Sequence, residues 1–368
     1  MVRAGLRVRR FDPQQGSEPT WSTYQVELPD GSTVLEALMK IQDEQDGTLS
    51  FRRACRHAIC GSCAMMINGC SKLACNTQVS LAAEQAARMA AHGREAWRDG
   101  REDAAAEDAA AEGAAAEGAA APILIEPLGN MPVVKDLVTD MDAFWRKQRR
   151  VRPWLFAPDD GIDPDHERRM SPPEWDRMAQ GLLCLECGSC YSECDAVTAS
   201  PEFVGPAALA KAHRYTTDTR DADAHQRLAD LSDEHGLWEC MRCYFCSERC
   251  PKRIRVRDLI AQLGELAVRD GLDTDPGARH AAAFVESLEK SGRLDETRLA
   301  VRSQGVGWAA RRLPMAVRVA MAGKLSLPPR PIDGHEALRR VIDAARADKG
   351  GAGEAGTAGA ADDAGRDD

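Results

Sequence analysis

Cysteine spacing constrains this chain more than any other feature. The pattern Cys-x2-Cys-x2-Cys-x3-Cys occurs twice, as Cys184/Cys187/Cys190/Cys194 and as Cys240/Cys243/Cys246/Cys250 followed by Pro251. In the bacterial ferredoxin run of this form, the first three thiolates hold one cubane and the fourth reaches across to the other. That exchange predicts one [4Fe–4S] site from Cys184, Cys187, Cys190 and Cys250. It predicts another from Cys240, Cys243, Cys246 and Cys194. Pro251 fits a chain that turns away after its crossing ligand. Paired zinc ribbons are the competing reading, but no β-ribbon pattern surrounds either run.

A third motif lies upstream. Cys55-x4-Cys60-x2-Cys63, with Cys75 after eleven more residues, is close to the plant-type spacing for [2Fe–2S]. Gly61, Ser62 and Ala64 are small enough to let backbone amides approach the sulfides. His57 is read as a loop residue, because a Rieske centre needs two histidines. Cys70 competes with Cys75 for the fourth position and is read as a spectator thiol.

The total of 13 cysteines is odd, which suits metal sites better than a closed disulfide framework. No apolar segment follows MVRAGLRVRR, so no secretory signal is expected, and no run of 18 apolar residues spans a membrane. Both points predict a cytoplasmic protein with reduced thiols. A net charge of −10 argues against nucleic acid as a partner. There is no dinucleotide GxGxxG, no P-loop and no Ser/His/Asp constellation, so no catalytic residue is assigned. Three clusters in one chain make a wire, and the substrate chemistry belongs to partner proteins.

The expected fold class is α+β, a β-grasp [2Fe–2S] domain followed by an all-α ferredoxin domain with two cubanes. Strands are expected at Leu6–Asp12 and Thr23–Leu28, and the Thr33/Glu36 capping box opens a helix carrying Val34, Leu35, Leu38 and Ile41. Thr48–Phe51 reads as extended, Pro122–Leu128 as the domain's last strand, and Val133–Gln148 has helical spacing. Helices are also expected at Pro206–Tyr215 and Arg255–Gly271. The domain division is 1–145, with a low-complexity Ala/Glu insertion at about 83–121, then 146–271, a helical extension at 272–346 and a disordered tail at 347–368.

These motifs resemble a known family. FRRACRHAICGSCAMMINGCSKLAC, VVKDLVTDMDAFW and VGPAALAKAHRYTTDTRD are similar to the [2Fe–2S] signature, interdomain helix and inter-motif segment of the iron–sulfur subunit of succinate dehydrogenase and fumarate reductase. The resemblance implies electron transfer between the FAD of a flavoprotein subunit and a quinone or membrane-associated partner. It also implies a peripheral position on the inner face of the cell membrane, held through those partners. The usual third cluster is [3Fe–4S], because an apolar residue stands where this chain has Cys243. The family's tryptophan pair and histidine at the quinone site are replaced by DAVTAS from Asp195 and by Met241. A family branch with a second [4Fe–4S] and a C-terminal extension pairs with a cysteine-rich CCG-domain subunit instead of a cytochrome b anchor, and this chain is expected to do the same. The alternative is an electron carrier for another flavoprotein dehydrogenase or a heterodisulfide-reductase-like complex.

Overall fold

Alternating apolar and polar residues form the first two strands. β1 (Val2–Arg10) and β2 (Thr20–Leu28) pair antiparallel from Val2↔Leu28 to Arg10↔Thr20. The period of two buries Ala4, Leu6, Val8, Tyr24, Val26 and Leu28. Helix α1 (Val34–Glu44) adds Val34, Leu35, Ala37, Leu38 and Ile41 to the same core. Its capping box forms: the Thr33 amide donates to Glu36 Oε2 at 2.7 Å, and the Glu36 amide donates to Thr33 Oγ1 at 3.3 Å. These observations come from a computed structural model that describes residues 1–16, 18–92, 121–159, 167–233, 235–324 and 329–351. Most of the expected insertion and of the tail lies outside the described residues.

The sheet has the order β2-β1-β5-β3-β4, with β3 at Ala64–Ile67, β4 at Cys70–Leu73 and β5 at Ile123–Glu126. β5 lies parallel to β1, with Leu6↔Ile123 in register. The β3–β4 hairpin is absent from the sequence reading, although its signal is present. Asn68 and Gly69 have φ of 51° and 76°, the two left-handed residues that a tight type I′ turn requires. Helix α2 (Val79–His92) follows, so residues 83–92 of the expected insertion are helical.

Two expectations fail here, for one shared reason. Thr48–Phe51 is not a strand, and Val133–Gln148 is not one helix. Instead β6 (Val133–Lys135) and β7 (Val138–Thr139) form a hairpin, and helix α3 begins only at Asp142 (Asp142–Arg150). Asp136, left-handed at φ 48°, turns that hairpin. Its buried carboxylate accepts from Arg10 Nε at 2.9 Å, the Phe11 amide at 3.0 Å and the Ser50 amide at 2.8 Å. The Thr48 amide donates to Asp46 Oδ1 at 3.0 Å. Amides satisfied by carboxylates need no β-ladder, and apolar spacing alone does not reveal that.

The chain divides into two compact units. Met1–Trp154, Gln180–Arg214 and Cys240–Ile260 make the first, which contains all three cysteine motifs. Leu155–Ala179, Tyr215–Glu239 and the chain from Ala261 onward make the second. In the second, the buried Arg227 pairs with Asp221, and Asp221 also accepts from the Phe156 amide at 3.1 Å. Helices Pro276–Ser291 and Glu296–Gln304 start at side-chain caps, Asp275 and Asp295, and Gly292 (φ 70°) ends the first of them. Among the described residues no helix is long and apolar enough to cross a membrane.

Candidate metal centres

The β3–β4 hairpin explains the eleven-residue gap before Cys75. Ala64 pairs with Leu73, so Cys63 and Cys75 flank the open end of the ladder. The Ala74 amide donates to Cys63 O at 3.1 Å, and the Cys75 amide reaches Cys63 Sγ at 3.5 Å. Cys55 and Cys60 come to the same place in a loop with left-handed Arg56, Ala58 and Gly61. In that loop amides point at sulfurs: His57 and Cys60 donate to Cys55 Sγ at 3.3 Å each, and Ala58 donates to Cys75 Sγ at 3.3 Å. Hydrogen bonds from Ser62 and from the Cys55 amide pull the Cys60 thiol down to about 6, and burial pushes Cys63 up to about 12. His57 is exposed in the loop. Cys70, buried, begins β4 at the turn end of the hairpin, away from the loop.

The two later runs share one backbone. Glu186 and Gly188, on either side of Cys187, have φ of 54° and 82°; Arg242 and Tyr244, on either side of Cys243, have 62° and 66°. A four-residue helix follows in each case, Ser189–Ser192 and Phe245–Glu248. One recess is lined by Cys184, Cys187, Cys190 and Cys250 together with Ala207, Ala210 and Ile254. The other is lined by Cys194, Cys240, Cys243 and Cys246 with Ala196, Phe203 and Ile260. Each recess thus brings three cysteines of one run together with the last cysteine of the other.

Burial pushes the Cys184, Cys190, Cys240 and Cys250 thiols up, Cys194 up to about 11 and Cys246 up to about 12. Thiolates in such walls would need a cationic metal centre as their counter-charge. The donor set fits iron–sulfur clusters: each recess presents four sulfurs. Among the described residues no three Cys, His, Asp or Glu side chains converge on a point that one ion fills. A zinc site needs four ligands about 2.3 Å from a single centre.

Several side chains absent from the sequence reading hold these sites together. Glu193 and Arg249, each the residue before a crossing cysteine, form an ion pair at 2.9 Å. Glu193 also accepts from the Ser71 amide at 2.5 Å, which ties β4 to both runs. The Asn130 side-chain Nδ2 donates to the carbonyls of Tyr191 at 2.9 Å, Ser192 at 3.2 Å and Cys194 at 3.1 Å. Opposite charges at equivalent positions of two repeats were the available signal. Gly61 has a second role beyond the amide approach. A Cβ there would stand 2.6 Å from Cys187 Cβ and 3.2 Å from Leu185 O, so the first loop lies directly against the second motif.

Comparison with known proteins gives a consistent picture. Residues 5–146 match the model of a 2Fe-2S iron-sulfur cluster binding domain, and residues 180–254 that of a 4Fe-4S dicluster domain. The 8-methylmenaquinol:fumarate reductase iron-sulfur subunit of Wolinella succinogenes is 33% identical, over 92% of this chain and 98% of the relative. The fumarate reductase iron-sulfur subunit of Mycobacterium tuberculosis is 36% identical, over 69% of this chain and 88% of its own length. Among solved structures, a chain of the Mycobacterium smegmatis Sdh1 complex is 28% identical with a TM-score of 0.56, covering 73% of this chain and 96% of that one.

Proposed function

This chain belongs to the family of fumarate reductase and succinate dehydrogenase iron–sulfur subunits, and from that premise we propose that its two recesses each hold a [4Fe–4S] cluster behind one [2Fe–2S] centre. It is the electron-transfer subunit of such an oxidoreductase. The heterodisulfide-reductase-like alternative is not favoured, since the relatives named above are fumarate reductase and succinate dehydrogenase subunits. The proposed ligands are Cys55, Cys60, Cys63 and Cys75 for [2Fe–2S], then Cys184, Cys187, Cys190 and Cys250 for the first cubane. Cys194, Cys240, Cys243 and Cys246 complete the set. The domain division at 145/146 and 271/272 is kept as part of this reading.

When bound, such clusters supply one-electron redox chemistry at potentials set by ligands, hydrogen bonds and exposure. The chain's own residues bind, orient and exclude water. Amides of Cys55, His57, Ala58, Cys60 and Cys75 donate to cysteine sulfurs and spread thiolate charge. Phe203, Ala207, Ala210 and Ile260 keep water from the recess walls. Gly61 lets the first motif touch the second. The exposed Cys60 loop and the exposed segment Met241–Tyr244 leave one motif open to solvent at each end of the series. The partners in this reading are an FAD-containing flavoprotein subunit at the first and a membrane-associated subunit at the second. Met241 and DAVTAS stand where the family's quinone-site residues would be, which supports a CCG-domain subunit as the exit partner. The complex would sit on the cytoplasmic face of the cell membrane through that subunit.

One observation carries the second cubane: Cys243 lines the recess in the same left-handed, cysteine, left-handed backbone as Cys187. The expected iron content is about 10 per chain, against about 9 with a three-iron centre. Anaerobic iron and sulfide analysis with electron paramagnetic resonance of the oxidised protein tests this. A three-iron signal at one spin per chain, in protein never exposed to oxygen, would overturn it.

A further inference from the structure

In the second unit, one stretch leaves long apolar side chains in solvent. Helices Val306–Arg311 and Leu313–Met321 contain no buried residue. Val306 is 77% exposed, Leu313 61%, Met315 49%, Val317 47% and Met321 77%. At helical spacing Leu313, Ala316, Val317, Ala320 and Met321 share one face of the second helix, and Arg318 lies off it. Arg311, Arg312, Arg318 and Lys324 punctuate the stretch, and from Val306 to Lys324 there is no Asp or Glu, in a chain of net charge −10. The Arg312 guanidinium stands 5.4 Å over the Trp308 ring, so cation and indole share one end of the pair.

An apolar face with cations along it and an aromatic ring at its edge matches the interfacial layer of an anionic bilayer. Such a helix lies in the plane, with apolar side chains in the acyl boundary and basic ones on phosphate. Neither helix is long and apolar enough to span. The local charge runs against that of the whole chain, which selects an anionic surface.

We propose that Val306–Met321 is a lipid-binding element that lays this face on anionic membrane. It gives the chain its own membrane contact, independent of any anchor subunit, and it rests on exposure and charge, not on cluster content. The test is cosedimentation of the full-length protein, clusters assembled, with phosphatidylglycerol or phosphatidylcholine vesicles. Binding is expected to phosphatidylglycerol only and to weaken with salt. Leu313→Glu with Val317→Glu abolishes it, and Arg311→Gln or Arg312→Gln lowers affinity by about fivefold each. These side chains are exposed, so the melting curve and visible spectrum stay unchanged, and intact clusters in a non-binding protein leave the electron-transfer reading standing. Equal binding by the double variant, equal binding to phosphatidylcholine, or no binding at low salt overturns the proposal. In the last case, self-association lost in Leu313→Glu would assign the face to a second copy of the chain.

Discussion

At Cys187 and Cys243 the chain takes the same backbone, but Gly188 follows the first cysteine and Tyr244 the second. The surroundings account for the difference. A Cβ at Gly188 would meet Met131 Cε at 2.7 Å, and one at Gly61 would meet Cys187 Cβ at 2.6 Å. Around Cys243 the segment Met241–Tyr244 is exposed, so a left-handed residue with a side chain fits, and Arg257 stacks on the Tyr244 ring at 5.6 Å. Left-handed backbone at a non-glycine residue costs about 1 kcal/mol, tolerable where nothing presses on the Cβ. The loop at Cys187 is therefore packed against its own chain. The loop at Met241–Tyr244 lies in solvent.

Cysteine replacement should separate the two most strongly. Cys187→Ala removes a proposed ligand from the loop packed against Gly61 and Met131, and loss of the whole cluster, about four irons per chain, is expected. Cys243→Ala should lose about one, leaving a three-iron centre. Equal losses in anaerobic iron analysis would mean that the packing of the Cys187 loop does not distinguish the two recesses.

Next in size is the ion pair that the two runs share. Glu193→Ala leaves Arg249 without its buried partner and the Ser71 amide without an acceptor. Destabilisation of about 3 kcal/mol is expected in denaturant unfolding of the holo protein. A change under ~0.5 kcal/mol, the ordinary size for a surface substitution, would show that the pair does not hold the runs together.

Gly61→Ala should destabilise by about 2–3 kcal/mol, because positive φ and the approach to Cys187 both oppose a methyl group. Gly69→Ala is the control, with φ of 76° and nothing within 4 Å of the added carbon, and should cost only about 1 kcal/mol. If the two are equal, the close approach has no energetic weight. The smallest effect is expected at Tyr244→Gly. Relief of left-handed strain offsets the lost contact with Arg257, and the net change should stay within about 0.5 kcal/mol. Gly188→Ala should be clearly worse in the same unfolding assay.

The sites were more legible than their supports. The proposed ligands and their crossing order are read from spacing, since a cluster takes its thiolates from a short loop and one distant residue. The Thr33 cap and the α1 face are local patterns of the same kind. Thr48–Phe51 and Val133–Gln148 depart from their apolar spacing because Asp136 satisfies amides from Phe11 and Ser50, far from it in sequence. The β3–β4 hairpin has its local signal at Asn68-Gly69, both left-handed.

By itself, then, the sequence proposed which thiols form each set and determined which family the chain resembles, because coordination and helix periodicity are set over a few residues. Only the tertiary structure decided how the sets are joined. Gly61 meets Cys187, Ser71 meets Glu193, and Glu193 meets Arg249, all across long stretches of chain. Such meetings depend on how separate elements pack, and packing leaves no period in the sequence to read.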